Sequence, residues 1–176
     1  MATSTPNPDS FGTAPAPAPR RETLRTIAAQ IAALDEMIGL ARQSISVFDI
    51  DLSGMGWNGV ARAAKITAFL RARPNASLQI IVHNTRWIEG SCPRLTQLLR
   101  QYGHAITIYR TGADAQAVMD PIAIVDGRHF LHRFHIEQPN AEFGIEQPLA
   151  AKPFVERFGE IWASGEPGVS ATVLGL

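Results

Sequence analysis

Cysteine is nearly absent: Cys92 is the single thiol among 176 residues. That excludes an intramolecular disulfide and a cysteine-based zinc site. It fits a reduced, cytoplasmic setting in which Cys92 is an ordinary thiol, with no base near it in sequence. Surplus charge is lacking too, since 16 basic residues balance 16 acidic ones. No global field then favours nucleic acid or an anionic membrane, and only a local patch could hold either. No apolar run approaches the ~18 residues of a membrane span, and the N-terminus has no secretory apolar core. Also missing are HExxH, GxSxG, a P-loop and a Rossmann glycine pattern. Gly54, Gly56 and Gly59 follow a strand, but their spacing, with Met55 and Trp57 between them, makes the stretch a turn. The length suits one domain with a buried core.

What is present divides cleanly. Residues 1–21 hold Pro6, Pro8, Pro15, Pro17 and Pro19 among Ala, Ser and Thr, the composition of a disordered tail, with Arg20 and Arg21 solvated at its edge. From Glu22 the pattern changes: Leu24, Ile27, Ile31, Leu34 and Ile38 share one helical face, which predicts an amphipathic helix. Residues 45–52 read as a strand ended by a Gly-rich turn, and 58–73 as a helix stopped by Pro74. Residues 78–83 form a short apolar strand of the buried, parallel kind, followed by Asn84 and Arg86 at the end where ligands collect in open α/β sheets. A helix from Pro93, a strand over 105–110 and a loop to Met119 complete the first part. Trp57 and Trp87 each follow a strand, as stacking platforms or as packing. Near the end, Pro153 opens a last helix carrying Phe154, Phe158, Ile161 and Trp162 on one face, and residues 166–176 form a C-terminal tail.

The most informative stretch is Met119 to Arg133. An apolar run over 122–125 meets Asp126-Gly127, and large residues resume at His129, which predicts a β-hairpin. This hairpin resembles the centre of a phospholipase D-type domain, whose signature is His-x-Lys-x-x-x-x-Asp with the Asp closing a strand. Asp126 fits the Asp, but Met119 stands at the His position and Pro121 at the Lys position. The family's following Gly-Ser-x-Asn is replaced as well, by Arg133, Phe134 and Ile136 at its named positions. Two further anchors support the resemblance. Asn140-Ala141-Glu142-Phe143-Gly144 is similar to the strand that follows the signature, and the Phe154 to Trp162 helix is similar to the family's closing helix. The resemblance covers residues 22–165. More narrowly, the chain resembles a bacterial domain of uncharacterised function with degenerate phospholipase D-like features, which elsewhere follows a GNAT-class acetyltransferase domain. No Gly-rich acetyl-coenzyme A loop occurs in this chain. The implied fold is α/β: a single phospholipase D-like half, with a mixed, mostly parallel sheet and helices on both faces.

In the active family a His attacks phosphorus and a Lys holds the phosphoryl oxygens. Methionine and proline can do neither, so the resemblance implies no catalytic residue, no cofactor and no metal. Of the five histidines, at 83, 104, 129, 132 and 135, His129 and His132 lie three apart. On a strand that spacing points them to opposite faces and argues against joint metal ligation. The ligand-binding candidates are Arg133, Asp49, Asp51, Asn84, Arg86, His132 and Glu142. Arg133 stands where the family has a small glycine facing its site. It either binds phosphate or carboxylate, or fills the emptied pocket and pairs with Asp49, Asp51 or Glu142. Asp49 and Asp51 share one side of their strand, as a solvated edge or as a pocket wall. The expected function is that of a catalytically inactive phospholipase D-like binding or regulatory module for an anionic or phosphate-bearing small molecule, with nucleic acid left open as a partner. The alternatives are a phosphodiesterase or nuclease with a rewritten site, and a dimeric scaffold. Active single-half relatives pair about a two-fold axis, so the resemblance also implies a homodimer.

Overall fold

The computed structural model describes residues 16–170. The expectation of a disordered tail falls largely on residues 1–15, which lie outside the described residues. Eight strands form one sheet in the order β1-β7-β6-β5-β2-β3-β4-β8. They are β1 (Arg20–Leu24), β2 (Ser44–Asp49), β3 (Ser77–Val82), β4 (Ile106–Arg110), β5 (Ile122–Val125), β6 (His129–Arg133), β7 (Ala141–Ile145) and β8 (Glu166–Val169). The helices are α1 (Ile27–Leu40), α2 (Val60–Ala72), α3 (Arg86–Ser91), α4 (Pro93–Gln101) and α5 (Pro148–Ala163).

The sheet is mixed, but it is not mostly parallel. Only β2–β3 and β3–β4 run parallel. The β1–β7, β7–β6, β6–β5, β5–β2 and β4–β8 pairs are antiparallel. Parallel neighbours need a crossover, which α2 and the α3–α4 pair supply for β2–β3 and β3–β4, whereas β5, β6 and β7 follow one another through loops as antiparallel neighbours. Helices do cover both faces. The α1 helix packs on β5, β6 and β7, α2 packs on α1 and α4, and α5 packs on the other face against β2, β5 and β6.

Three boundaries differ from the sequence reading. Residues 20–24 are an edge strand, not helix or solvated tail: Arg21 pairs with Glu142 and Arg20 with Glu36, while the Arg20 guanidinium lies 5.1 Å from the Phe143 ring centre. The helix starts only after Thr26, whose Oγ1 accepts from the Ala29 N–H at 3.1 Å. The last helix begins at Pro148, more than a turn early, with Pro153 inside it. The amide that Pro153 lacks would have bonded the carbonyl of Leu149, an exposed residue within reach of water. Residues 166–169, expected as tail, are the second edge strand.

Alternation along the strands splits the core in two. Val47, Val125, Leu131 and Phe143 face the larger layer under α1, α2 and α4. Phe48, Ile122 and Ile124 face Phe158 and Ile161 of α5. The hairpin turn is as its sequence requires, with Asp126 at φ 54° and Gly127 at φ 65°.

Candidate functional site

The end of β2, the start of β5 and the end of β6 meet at one end of the sheet. Phe48 lies opposite Ile122, and Ile122 opposite His132. One step further along stand Asp49, Pro121 and Arg133, joined on one side by the Arg133 N–H donating to the Pro121 carbonyl at 2.9 Å. By alternation all three face the α1 side. Pro121 therefore sits between an aspartate and an arginine, one strand to either side. An open concavity of about 500 Å³ takes in the Asp49 and Arg133 ends of this row but not Pro121, and is lined also by Asp51 and Ser53 after β2 and by Glu137 and Gln138 after β6.

Arg133 is only 5 % exposed. Its Nη2 donates to the Ile136 carbonyl at 3.0 Å, which ties down the loop after β6, and its Nε is buried without a partner. Asp49, also 5 % exposed, accepts at Oδ1 from the Ile50 N–H at 2.6 Å and from the Asp51 and Leu52 N–H groups at 3.4 Å. Burial pushes its carboxyl above the usual carboxylate range, while the Arg133 charge and these three N–H groups pull the other way. Asp49 and Arg133 thus act on each other through the low dielectric without a direct ion pair among the described residues.

The other candidates scatter. Asp51 lines the concavity, with Oδ1 taken by the Ser53 N–H and hydroxyl. Asn84 and Arg86 are exposed after β3 and do not line it; the Asn84 N–H donates to the Ile50 carbonyl. Glu142 points to the opposite face and pairs with Arg21, so it is not a partner of Arg133. His132 faces α5: its Nε2 donates to Asp120 Oδ2 at 3.1 Å, and Asp120 Oδ1 accepts from Arg157 Nη2 at 2.6 Å. The His132 ring lies 4.7 Å from that of Phe154 and 5.7 Å from that of Phe134. His132 thus clasps α5 to the hairpin through Asp120 and Arg157 and through the Phe154 ring.

The remaining histidines and aromatic residues have structural roles or lie apart. His83 bonds the Thr111 hydroxyl and the Val118 carbonyl, both at 2.7 Å. His129 lies at the far end of the hairpin, accepting from the Glu146 N–H at Nδ1, and burial lowers its pKa. Trp57 is buried, Trp87 packs on the main core, and Cys92 is buried with its thiol pushed up by desolvation.

Asp126 keeps a structural task. Its carboxylate accepts from the Arg42, Gln43 and Ser44 N–H groups at 2.8, 2.7 and 2.9 Å, tying the hairpin turn to the entry of β2. Sequence reasoning missed two buried polar residues that shape the site. Gln30, fully buried on α1, donates to the Pro139 carbonyl at 2.9 Å beneath the same loop that Arg133 holds, and its Oε1 has no partner. Arg62 bonds Asp35 at 2.7 Å and the Met55 carbonyl, fixing the loop that carries Asp51 and Ser53. Each interrupts an otherwise apolar helical stripe, which is the signal that could have found them.

A family model described as Domain of unknown function (DUF7931) matches residues 26–172. The chain belongs to the DUF7931 family. No curated protein matches it. Among solved structures, the DUF7931 chain is similar to Nuc from Salmonella typhimurium, a phospholipase D family member, with a TM-score of 0.58 and 14 % identity over 87 % of this chain and 100 % of that one. It is similar to NucT from Helicobacter pylori, with a TM-score of 0.59 and 12 % identity over 85 % and 99 %. TrmBL2, an archaeal chromatin protein described as showing a novel mode of DNA binding, gives a TM-score of 0.61 at 14 % identity over 84 % of this chain, which spans about half, 54 %, of that protein. At such identities the likeness concerns the fold, and the fold is phospholipase D-like.

Proposed function

We propose that this DUF7931 domain is a catalytically inactive phospholipase D-like binding module, whose concavity takes the anionic group of a small molecule on Arg133. The observation that carries this reading is the buried guanidinium, with an unpartnered Nε, in the lining of the concavity. A buried charge with unused donors is costly unless something satisfies it. Met119 and Pro121, at the positions of the nucleophile and the phosphate-holding lysine, support inactivity. Proline has neither a charge nor an N–H, and a thioether does not attack phosphorus. Asp51 and Glu137 line the concavity with the one guanidinium, so it repels a polyanionic nucleic-acid backbone more than it does a small ligand.

The test compares wild type with Arg133→Met, which keeps volume and removes charge. The variant is expected to fold with a stability within about 1 kcal/mol of wild type, and inorganic phosphate at tens of millimolar, roughly, to raise the melting temperature of wild type alone. Equal shifts in both proteins, or none in either, would overturn the anion site.

A second reading draws on His132, which Asp120 orients as a carboxylate orients a general base. In that reading the domain is a phosphodiesterase or nuclease with a rewritten site. Purified protein is expected to show no turnover of generic phosphodiesters; turnover abolished by His132→Ala would favour the second reading. We also infer a homodimer paired through the surface carrying Phe134, a large apolar side chain 47 % exposed beside the site.

A further inference from the structure

The floor and the rim of the concavity carry opposite charge. On the floor lies Arg133, 5 % exposed, with its Nε buried and unpaired. The rim has a carboxylate on each wall. Asp51, on the loop after β2, has one oxygen engaged by Ser53. Glu137, on the loop between β6 and β7, is 83 % exposed at its side chain and has only a 4.0 Å pairing with His135. A simple anion that reaches Arg133 must pass both carboxylates and remain beside them. A molecule that places a cation at the rim turns both repulsions into attractions. The concavity, at about 500 Å³, has the size of a small-molecule site.

From this arrangement we infer that the concavity selects a zwitterionic small molecule, with a phosphate or carboxylate on Arg133 and an ammonium or guanidinium between Asp51 and Glu137. The inference rests on the reading of Arg133 as an anion site and adds to it what the other end of the ligand must be. The raised proton affinity of Asp49 agrees with it. Burial that disfavours the Asp49 carboxylate weakens its competition with the ligand for the Arg133 charge.

Matched probes test the idea by calorimetry at low salt. Phosphoethanolamine is compared with ethyl phosphate and ethanolamine, and β-alanine with propionate, so that the two series separate a phosphate from a carboxylate as the anionic group. Phosphoethanolamine is expected to bind about 5- to 20-fold more tightly than ethyl phosphate, since each exposed charge contributes roughly a 2- to 5-fold effect. Added salt should narrow the gap. The Asp51→Asn, Glu137→Gln double variant, altered only at the rim, should fold normally and close the gap without weakening ethyl phosphate. Equal binding of phosphoethanolamine and ethyl phosphate by wild type would overturn the zwitterion inference and leave the anion site standing. So would a gap that survives in the double variant. Binding of ethanolamine as tight as that of phosphoethanolamine, or phosphoethanolamine binding unchanged in Arg133→Met, would remove the anion site as well. The same holds if none of the probes binds.

Discussion

Asp49 and Asp126 are both aspartates that accept three backbone N–H groups, yet burial separates them. Asp126 is partly open to water at the hairpin turn, whereas Asp49 lies beneath the concavity, where burial favours its protonated form. A carboxyl whose native pKa is raised lets the folded state hold a proton that the unfolded chain releases. Its stabilising contribution is present below the ordinary aspartate pKa and is lost as pH rises through the raised native value. Asp49→Asn keeps an oxygen for the Ile50 N–H and removes the titration. In urea unfolding the variant is therefore expected to match wild type most closely near the ordinary aspartate range, and to gain on it as pH rises towards neutrality. A stability difference that stays flat across that window would show that Asp49 has no raised pKa in the native state.

The elements around the site are held by polar groups inside apolar packing. Arg62, 1 % exposed, joins α2 to α1 through Asp35, holds the Met55 carbonyl and lies 5.2 Å from the Trp57 ring centre. Removing it leaves a buried carbonyl and a half-buried carboxylate without their partner. Arg62→Ala is expected to cost about 3–5 kcal/mol in chemical denaturation. Arg62→Lys should recover little, because an ammonium has no planar fork to meet Asp35, the Met55 carbonyl and the Ile31 carbonyl at once. Near-wild-type stability of the lysine variant would mean that charge alone, and not the fork, holds the 53–59 loop. Legibility differs between elements for the same reason. The helix at Pro93 and the Asp126-Gly127 turn follow from local chemistry and stand where the sequence puts them. The start of α5 does not, because packing of Phe154, Phe158 and Ile161 on the sheet tolerates Pro153 inside the helix.

For the whole molecule the proposal concerns pairing. Phe134 stands exposed at the site-bearing end, on the loop that Arg133 and Gln30 hold from below. If this surface joins two copies, light scattering at tens of micromolar, roughly, gives the mass of a dimer, and Phe134→Ser shifts it to monomer while leaving the circular dichroism spectrum unchanged. A monomeric wild type would sink the proposal. The two edge strands bear on the same question. Edge β1 is lined with charge and edge β8 carries Pro167, so neither is suited to extending the sheet into a neighbour.

The sequence by itself determined the class of fold, the hairpin and the loss of the signature residues, because these depend on local periodicity, on turn chemistry and on which side chain stands at a given spacing. It also singled out Arg133 and Asp49. Only the tertiary structure decided that Glu142 lies on the other face, since facing follows from strand parity once the register of β6 and β7 is set. It alone placed residues 20–24 and 166–169 as edge strands, for which local pattern carries no signal because their partners are far away in the chain. It also decided what the concavity presents: an arginine on the floor, carboxylates on opposite rims and buried Gln30 under the loop. That arrangement arises from three chain segments meeting at one end of the sheet, and no stretch of sequence contains it.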